Sequence, residues 1–155
     1  MKIRPQIAEA IATAGYIGYV PIAPGTFGAA IGCLIYLVMP FFSLPIVFIG
    51  LAGFIVFSAW IAGEAEKILN TKDPGCIIID EIAGMAVTFF ALPCSVYIGV
   101  AGFAIFRFFD ILKPFPIKWL EKKCPGGFGV VIDDVAAGVI SNIVLRILML
   151  VTNHS

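Results

Sequence analysis

The sequence predicts an all-α fold: a polytopic membrane helix bundle of about four to five membrane helices, one of them short, plus an N-terminal interfacial helix, in a single domain over residues 1–155. Three observations carry this expectation. Charged residues make up only 13% of the chain, against roughly 25% in a soluble globular protein, while apolar residues reach 61% and the mean hydropathy is +1.06. That composition argues against a water-soluble monomer. The charges are clustered within residues 2–9, 64–81 and 107–134, with Arg146 alone beyond them, so that 10–63, 82–106 and 135–145 carry none. Prolines fall where such uncharged runs would have to turn.

A bilayer core of about 30 Å needs about 20 apolar residues at about 1.5 Å each. A first span is expected near residues 27–42 and a second near 44–63, with Pro40 and Pro45 bracketing the turn between them. A third, shorter helix starts after Glu81 and stops near Leu92 and Pro93, and a fourth covers about residues 95–109. The Lys113-Pro114-Phe115-Pro116 segment ends that fourth helix, because proline disfavours helix in the residue before it. A last helix covers about residues 135–151. Residues 5–19, with Glu9 the one charge, form a helix lying at the interface or tucked into the bundle.

Lys and Arg stay on the cytoplasmic side of a membrane. Lys2 and Arg4, the basic residues of 64–80 and those of 107–123 therefore belong inside, and the connections near 41–43 and 93–94, which have none, outside. Arg146 is the exception. It stands about 18 Å along the last helix from Asp134, near enough to the far interface to snorkel there. Pro5 and Glu9 interrupt the apolar run that a signal peptide would need, so the N-terminus is expected to be retained.

Ten basic and ten acidic residues give a formal charge of zero, which makes nucleic acid an unfit partner. Cys33, Cys76, Cys94 and Cys124, with the lone His154, form no zinc spacing or redox pair and read as reduced apolar fillers.

This topology gathers the acids at one membrane face. Asp80-Glu81 open the third helix, Asp110 ends the fourth and Asp133-Asp134 open the fifth. Carboxylates beside hydrocarbon are expensive and usually mark a functional site. Five of them together would repel one another without a hard cation, and an all-oxygen set suits Mg²⁺. The alternative is that Asp80 and Asp133 are helix N-caps favoured by the dipole.

Arg107, Asp110 and Lys113 recur every three residues, so Arg107 and Asp110 share a helical face. Beside a metal cluster the two bases can hold a phosphate, Arg by its fork and Lys as a point charge. The alternative is a surface ion pair with lysines attracting anionic headgroups, the role assigned to Lys118, Lys122 and Lys123. In VPIAPGTFGAA, Thr26 is placed to cap the first span, where free backbone N–H groups can receive phosphate oxygens. Gly28 and Gly32 form a small-xxx-small pair suited to helix packing, and Gly126, Gly127 and Gly129 permit close backbone approach before Asp133.

These segments resemble a known family. IIIDEIAGM at 77–85, FRFFDILKPFPIKWLEK at 106–122, GGFGVVIDDVAAGVIS at 126–141 and APGTFG at 23–28 are similar, in order and over nearly the whole chain, to phosphatidylglycerophosphatase A, a bacterial membrane lipid phosphatase. The resemblance implies Mg²⁺-dependent removal of the terminal phosphate from phosphatidylglycerophosphate at the cytoplasmic face of the inner membrane, giving phosphatidylglycerol. The family's motif residues fall on Thr26, Asp80, Glu81, Arg107, Asp110, Lys113, Asp133 and Asp134. Asp80, Glu81, Asp110 and Asp134 are expected to be catalytic. The metal set adds Asp133, and Arg107, Lys113 and Thr26 are expected to bind phosphate. Ala29 departs from the pattern, since many relatives carry serine there.

Phosphate-ester hydrolysis needs charge neutralisation and a metal-activated water, which carboxylates can support without histidine. The rival reading is a small membrane cation transporter or channel using the same carboxylates. Placement speaks against it, because the acids sit at helix ends on one face rather than at the midplane of successive spans.

Overall fold

The computed structural model describes residues 3–124 and 126–152; Lys2 and His154 lie outside them, as do the side chains of Glu121 and Lys122. Seven α-helices follow in order: α1 Pro5–Ala12, α2 Pro24–Val38, α3 Leu44–Leu69, α4 Ile79–Thr88, α5 Val96–Leu112, α6 Ile117–Lys123 and α7 Gly127–Thr152. Short 3-10 turns at Ile17–Tyr19 and Met39–Phe41 join the first of these, and the described residues contain no strand. The fold is the helix bundle that the composition calls for.

Among the described residues, three helical stretches are long and apolar enough to cross a membrane: Pro24–Phe41, Leu44–Leu69 and Gly127–Thr152. Their flanks leave large apolar side chains exposed, among them Phe41, Phe48, Ile49 and Leu150. Such a surface is suited to lipid rather than water. α5, at 17 residues, stands at the lower edge of a spanning length, and α4, at 10 residues, is too short to span.

α4 is the centre of the molecule. Nine of its ten residues are buried, with α2, α3, α5 and α7 packed around it. A helix apolar on all sides must be enclosed by other helices. What lets it be enclosed so tightly is glycine. A Cβ on Gly84 would stand 2.6 Å from the Asp134 carbonyl oxygen, and one on Gly138 would stand 2.3 Å from the Gly84 carbonyl oxygen. α4 and α7 therefore cross backbone against backbone, the small-residue packing that membrane helices favour. The α2 face does the same with Gly28, where a Cβ would meet the Ile78 carbonyl at 2.9 Å, and with Gly32, where it would meet Met85 at 2.5 Å.

The termini of the elements differ from expectation at three places that matter. α7 begins at Gly127, not near Val135, so Asp133 and Asp134 lie inside the helix and do not open it. Glycine opens the helix where the backbone is crowded: a Cβ on Gly127 would fall 2.0 Å from the Ala59 carbonyl of α3, and one on Gly129 would fall 2.1 Å from the Cys124 carbonyl. Asp80 is not an N-cap either, since Ile78 holds that position. Thr26 likewise sits in the first turn of α2 and is not its cap, because Pro24 starts the helix behind Ala23, which takes a left-handed φ of 50°.

α1 is tucked into the bundle. Ala8 and Ala12 are fully buried against α3, and the Ile78 backbone N–H donates to the Ala12 carbonyl at 2.9 Å. Ala29 is also fully buried, in an apolar cluster with Tyr36, Met85, Phe89 and Phe106. A serine hydroxyl at that position would lie among hydrocarbon.

The glycine crossing has a direct test. Gly84→Ala or Gly138→Ala should destabilise the protein by about 1–3 kcal/mol through overpacking. Gly50→Ala, with nothing within 4 Å of the added carbon, should be neutral. Thermal unfolding in detergent reads the difference, and equal melting temperatures for the three variants would refute the close crossing.

Candidate active site

Four segments meet at one end of the bundle: the start of α2, the start of α4, the end of α5 and the second turn of α7. α4 carries Asp80 and Glu81 in its first turn, where the helix dipole favours negative charge. The crossing at Gly84 and Gly138 brings Asp134, four residues before Gly138, beside Asp80, four residues before Gly84. One carboxylate oxygen from each of Asp80, Glu81 and Asp134 lies within 4.8 Å of the others.

The other two predicted acids are held by bases. Arg107 Nη1 donates to Asp110 Oδ2 one turn along α5. Lys113 Nζ donates to Asp133 Oδ2 at 2.5 Å. Lys113 reaches α7 because α5 ends on it in the left-handed region, φ 42°, with its backbone N–H closing on the Phe109 carbonyl and Pro114 preventing further helix. Asp110 stands near Asp134, and Asp133 is its chain neighbour, so the paired acids border the cluster.

Gly25 closes the site from α2. A Cβ there would stand 2.2 Å from Glu81 Oε1 and 2.9 Å from Arg107 Nη1, so the first turn of α2 lies directly against both groups. Thr26 is the next residue, half-buried in the same turn. All eight predicted site residues thus belong to this end of the bundle. The acids divide into a group of three and two cation-paired neighbours rather than one set of five.

The electrostatics are those of an incomplete site. Burial pushes the Asp80 carboxyl well above its ordinary range, and the charges of Glu81 and Asp134 push the same way. Glu81 is raised by burial too, against the opposing effects of its hydrogen bond with Asp80 and the Arg107 guanidinium. Glu81 Oε2, Asp133 Oδ1 and Arg107 Nε are buried without a hydrogen-bond partner. Leaving such atoms unpaired costs about 1–3 kcal/mol each. The two orphaned acceptors call for a cation or donor, and the orphaned donor calls for an anionic oxygen. The clustered oxygens of Asp80, Glu81 and Asp134, one of them bearing an unpaired atom, fit a hard divalent cation.

Two features were not legible as site features in the sequence. Gly25 was read only as part of a glycine-rich stretch, and the matched spacing Asp80-x-x-x-Gly84 and Asp134-x-x-x-Gly138 was the signal that could have paired α4 with α7.

Residues 10–149 match the family model described as Phosphatidylglycerophosphatase A. The Phosphatidylglycerophosphatase A of Escherichia coli K12 is 37% identical over 125 residues, which cover 80% of this chain and 73% of that protein. The Haemophilus influenzae protein of the same name is 33% identical over 136 residues, 83% and 80% of the two chains. A Bacteroides thetaiotaomicron protein, named provisionally as a phosphatidylinositol-3-phosphatase, is 33% identical over 153 residues, 93% and 95% of the two chains. No solved structure gives a significant match. With its acids, bases and glycines assembled at one end of a membrane-type helix bundle, the chain belongs to the phosphatidylglycerophosphatase A family of lipid phosphatases.

Proposed function

We propose that the protein hydrolyses phosphatidylglycerophosphate to phosphatidylglycerol and inorganic phosphate, using Mg²⁺ held by Asp80, Glu81 and Asp134, at the cytoplasmic face of the bacterial inner membrane. The observation that carries this reading is the pairing of opposite needs in one buried site: Glu81 Oε2 lacks a cationic partner while Arg107 Nε, close by, lacks an anionic one. A metal-bound phosphate monoester answers both.

Bound there, the cation would neutralise the carboxylates and lower the pKa of a coordinated water. Arg107 already spends one nitrogen on Asp110, which fixes the guanidinium plane and leaves Nε to take a phosphate oxygen. The N-terminal turn of α2, packed at Gly25 against Glu81 and Arg107, adds the positive end of a helix dipole. Lys113, anchored on Asp133, supplies positive charge on the α7 side. Asp110 holds Arg107 in place, and Thr26 stands in the turn that faces the phosphate.

The deciding experiment is phosphate release by purified protein in detergent. Phosphatidylglycerophosphate should be turned over with Mg²⁺ and not with chelator. Faster release from phosphatidylinositol 3-phosphate would replace the substrate assignment, and no release with any divalent ion would remove the enzyme assignment.

Side-chain chemistry gives a second test. Asp80→Asn and Asp134→Asn should each lower kcat by more than about a hundredfold, beyond what loss of an outer partner costs. Arg107→Lys, which keeps charge but loses the fork, should lower kcat/KM by roughly tenfold or more. Lys118→Ala, on the exposed face of α6, should leave both constants unchanged. Full activity in the two Asn variants would reject the metal site.

Orientation is tested by labelling. In a cysteine-free protein, single cysteines at Lys72 and Lys118 should react with a membrane-impermeant maleimide from the cytoplasm, and one at Ser43 from outside. Lys72 and Lys118 labelling from opposite sides would contradict a site on one face.

A further inference from the structure

Arg146 is the one charge in the far half of α7, and the reaction described above makes no use of it. Its partners are informative. Arg146 Nε donates to Asn142 Oδ1 at 2.8 Å, and Nη2 donates to the carbonyls of Phe90 and Ala91 at 3.0 and 3.1 Å. Asn142 Nδ2 donates to the carbonyls of Thr88 and Phe90 at 2.8 and 2.9 Å. Every one of these carbonyls belongs to the last residue of α4 or to the turn that follows it. A helix end leaves its final carbonyls without partners, and hydrocarbon offers none. Asn142 supplies one at Thr88, and Arg146 holds the carbonyls of the turn just beyond, placing a cation near the negative end of the α4 dipole.

The placement goes beyond capping. Asp134, Gly138, Asn142 and Arg146 follow at four-residue intervals on one face of α7. Asp80, Gly84 and Thr88 do so on α4, and the two helices run parallel with Asp80 beside Asp134, Gly84 against Gly138 and Thr88 bonded to Asn142. The middle contact is backbone on backbone. Such a contact, with the Val87 side chain beside Gly138, resists compression but carries no directional bond to resist sliding. The directional bonds at Asn142 and Arg146 supply that resistance, about 12 and 18 Å along α7 from Asp134.

We infer that Asn142 and Arg146 are positioning residues: by holding the Thr88 carbonyl and the turn that follows it, they fix the axial register of α4 against α7, and with it the spacing of Asp80 and Glu81 from Asp134. This rests on the reading of those three carboxylates as the metal site. A displacement of about 1 Å at a reacting centre can cost about a hundredfold in rate, so a short helix pinned only at its glycines would be a poor platform.

The test uses the full chain in detergent and Mn²⁺ as the probe metal, with binding followed by loss of the free-ion paramagnetic resonance signal and compared with kcat and melting temperature. Asn142→Ala and Arg146→Ala should each weaken Mn²⁺ binding and lower kcat by roughly two- to thirty-fold, and Arg146→Lys should recover part of both. Tyr36→Phe is the control. It removes hydrogen bonds from the Tyr36 hydroxyl to the Pro93 carbonyl at 2.6 Å and from the Ser95 N–H at 2.8 Å, at the same end of the bundle but not at the end of α4. It should lower the melting temperature and leave Mn²⁺ affinity and kcat alone. Shifts in Asn142→Ala and Arg146→Ala no larger than those of Tyr36→Phe would overturn the inference. Should Asn142→Ala fail to fold, Arg146→Lys decides the matter by the same comparison. If the wild-type protein takes up no Mn²⁺, the metal reading fails, and the register claim is then judged on kcat: a fall in Arg146→Ala partly restored in Arg146→Lys upholds it, and no fall overturns it.

Discussion

Backbone contact between α4 and α7 at Gly84 and Gly138 is the constraint on which the rest of the molecule depends. Two helices can approach this closely only where neither carries a Cβ, and a membrane interior provides no strong hydrophobic drive to force them together otherwise. The crossing determines which residues meet one turn nearer the face, and these are Asp80 and Asp134. It also determines that α4 is enclosed on nearly every side, which is why a ten-residue helix can persist there at all. Charge chemistry and helix packing are thus one problem in this protein, solved by the same pair of glycines.

Burying five carboxylates within one end of a bundle would be prohibitive if they were alike. They are not. Asp110 and Asp133 each have a basic partner, from the same helix and from a neighbouring one, while among the described residues Asp80, Glu81 and Asp134 form no ion pair, Glu81 having only the Arg107 guanidinium nearby. A buried ion pair is roughly neutral in stability when its geometry is good, whereas an uncompensated buried charge is costly. Two of the acids are thus neutralised by bases, and the other three form a cluster that could hold a metal ion.

Much of this was legible in the chain. The uncharged runs located the long helices because lipid-facing helices cannot carry charges, and clustering of Lys and Arg brought 64–81 and 107–134 to one end, where the structure also has them. The site acids stood out because five of the chain's ten acids stand at or near the ends of the uncharged runs. What could not be read depends on contacts between distant segments. Helix propensity treats Gly127 and Gly129 as loop residues, and the α3 backbone lying against Gly127 becomes visible only in the packed structure. The same blindness made Asp133 and Asp134 look like helix openers and Thr26 like a cap. The partners of Arg146, the carbonyls of Phe90 and Ala91 in the turn after α4, carry no sequence signal.

α4 is too short to enter a bilayer by its own length, carries two acids in its first turn, and finds its principal partner in the last helix of the chain. During synthesis, on the order of several seconds separate the emergence of α4 from that of α7. Through that interval α4 has only α2 and α3, and then α5, to shelter it, and its carboxylates lack Asp134. Completion of the bundle is therefore a late event in biogenesis, and a nascent chain arrested before residue 127 would present Asp80 and Glu81 to the insertion machinery with their enclosure half built.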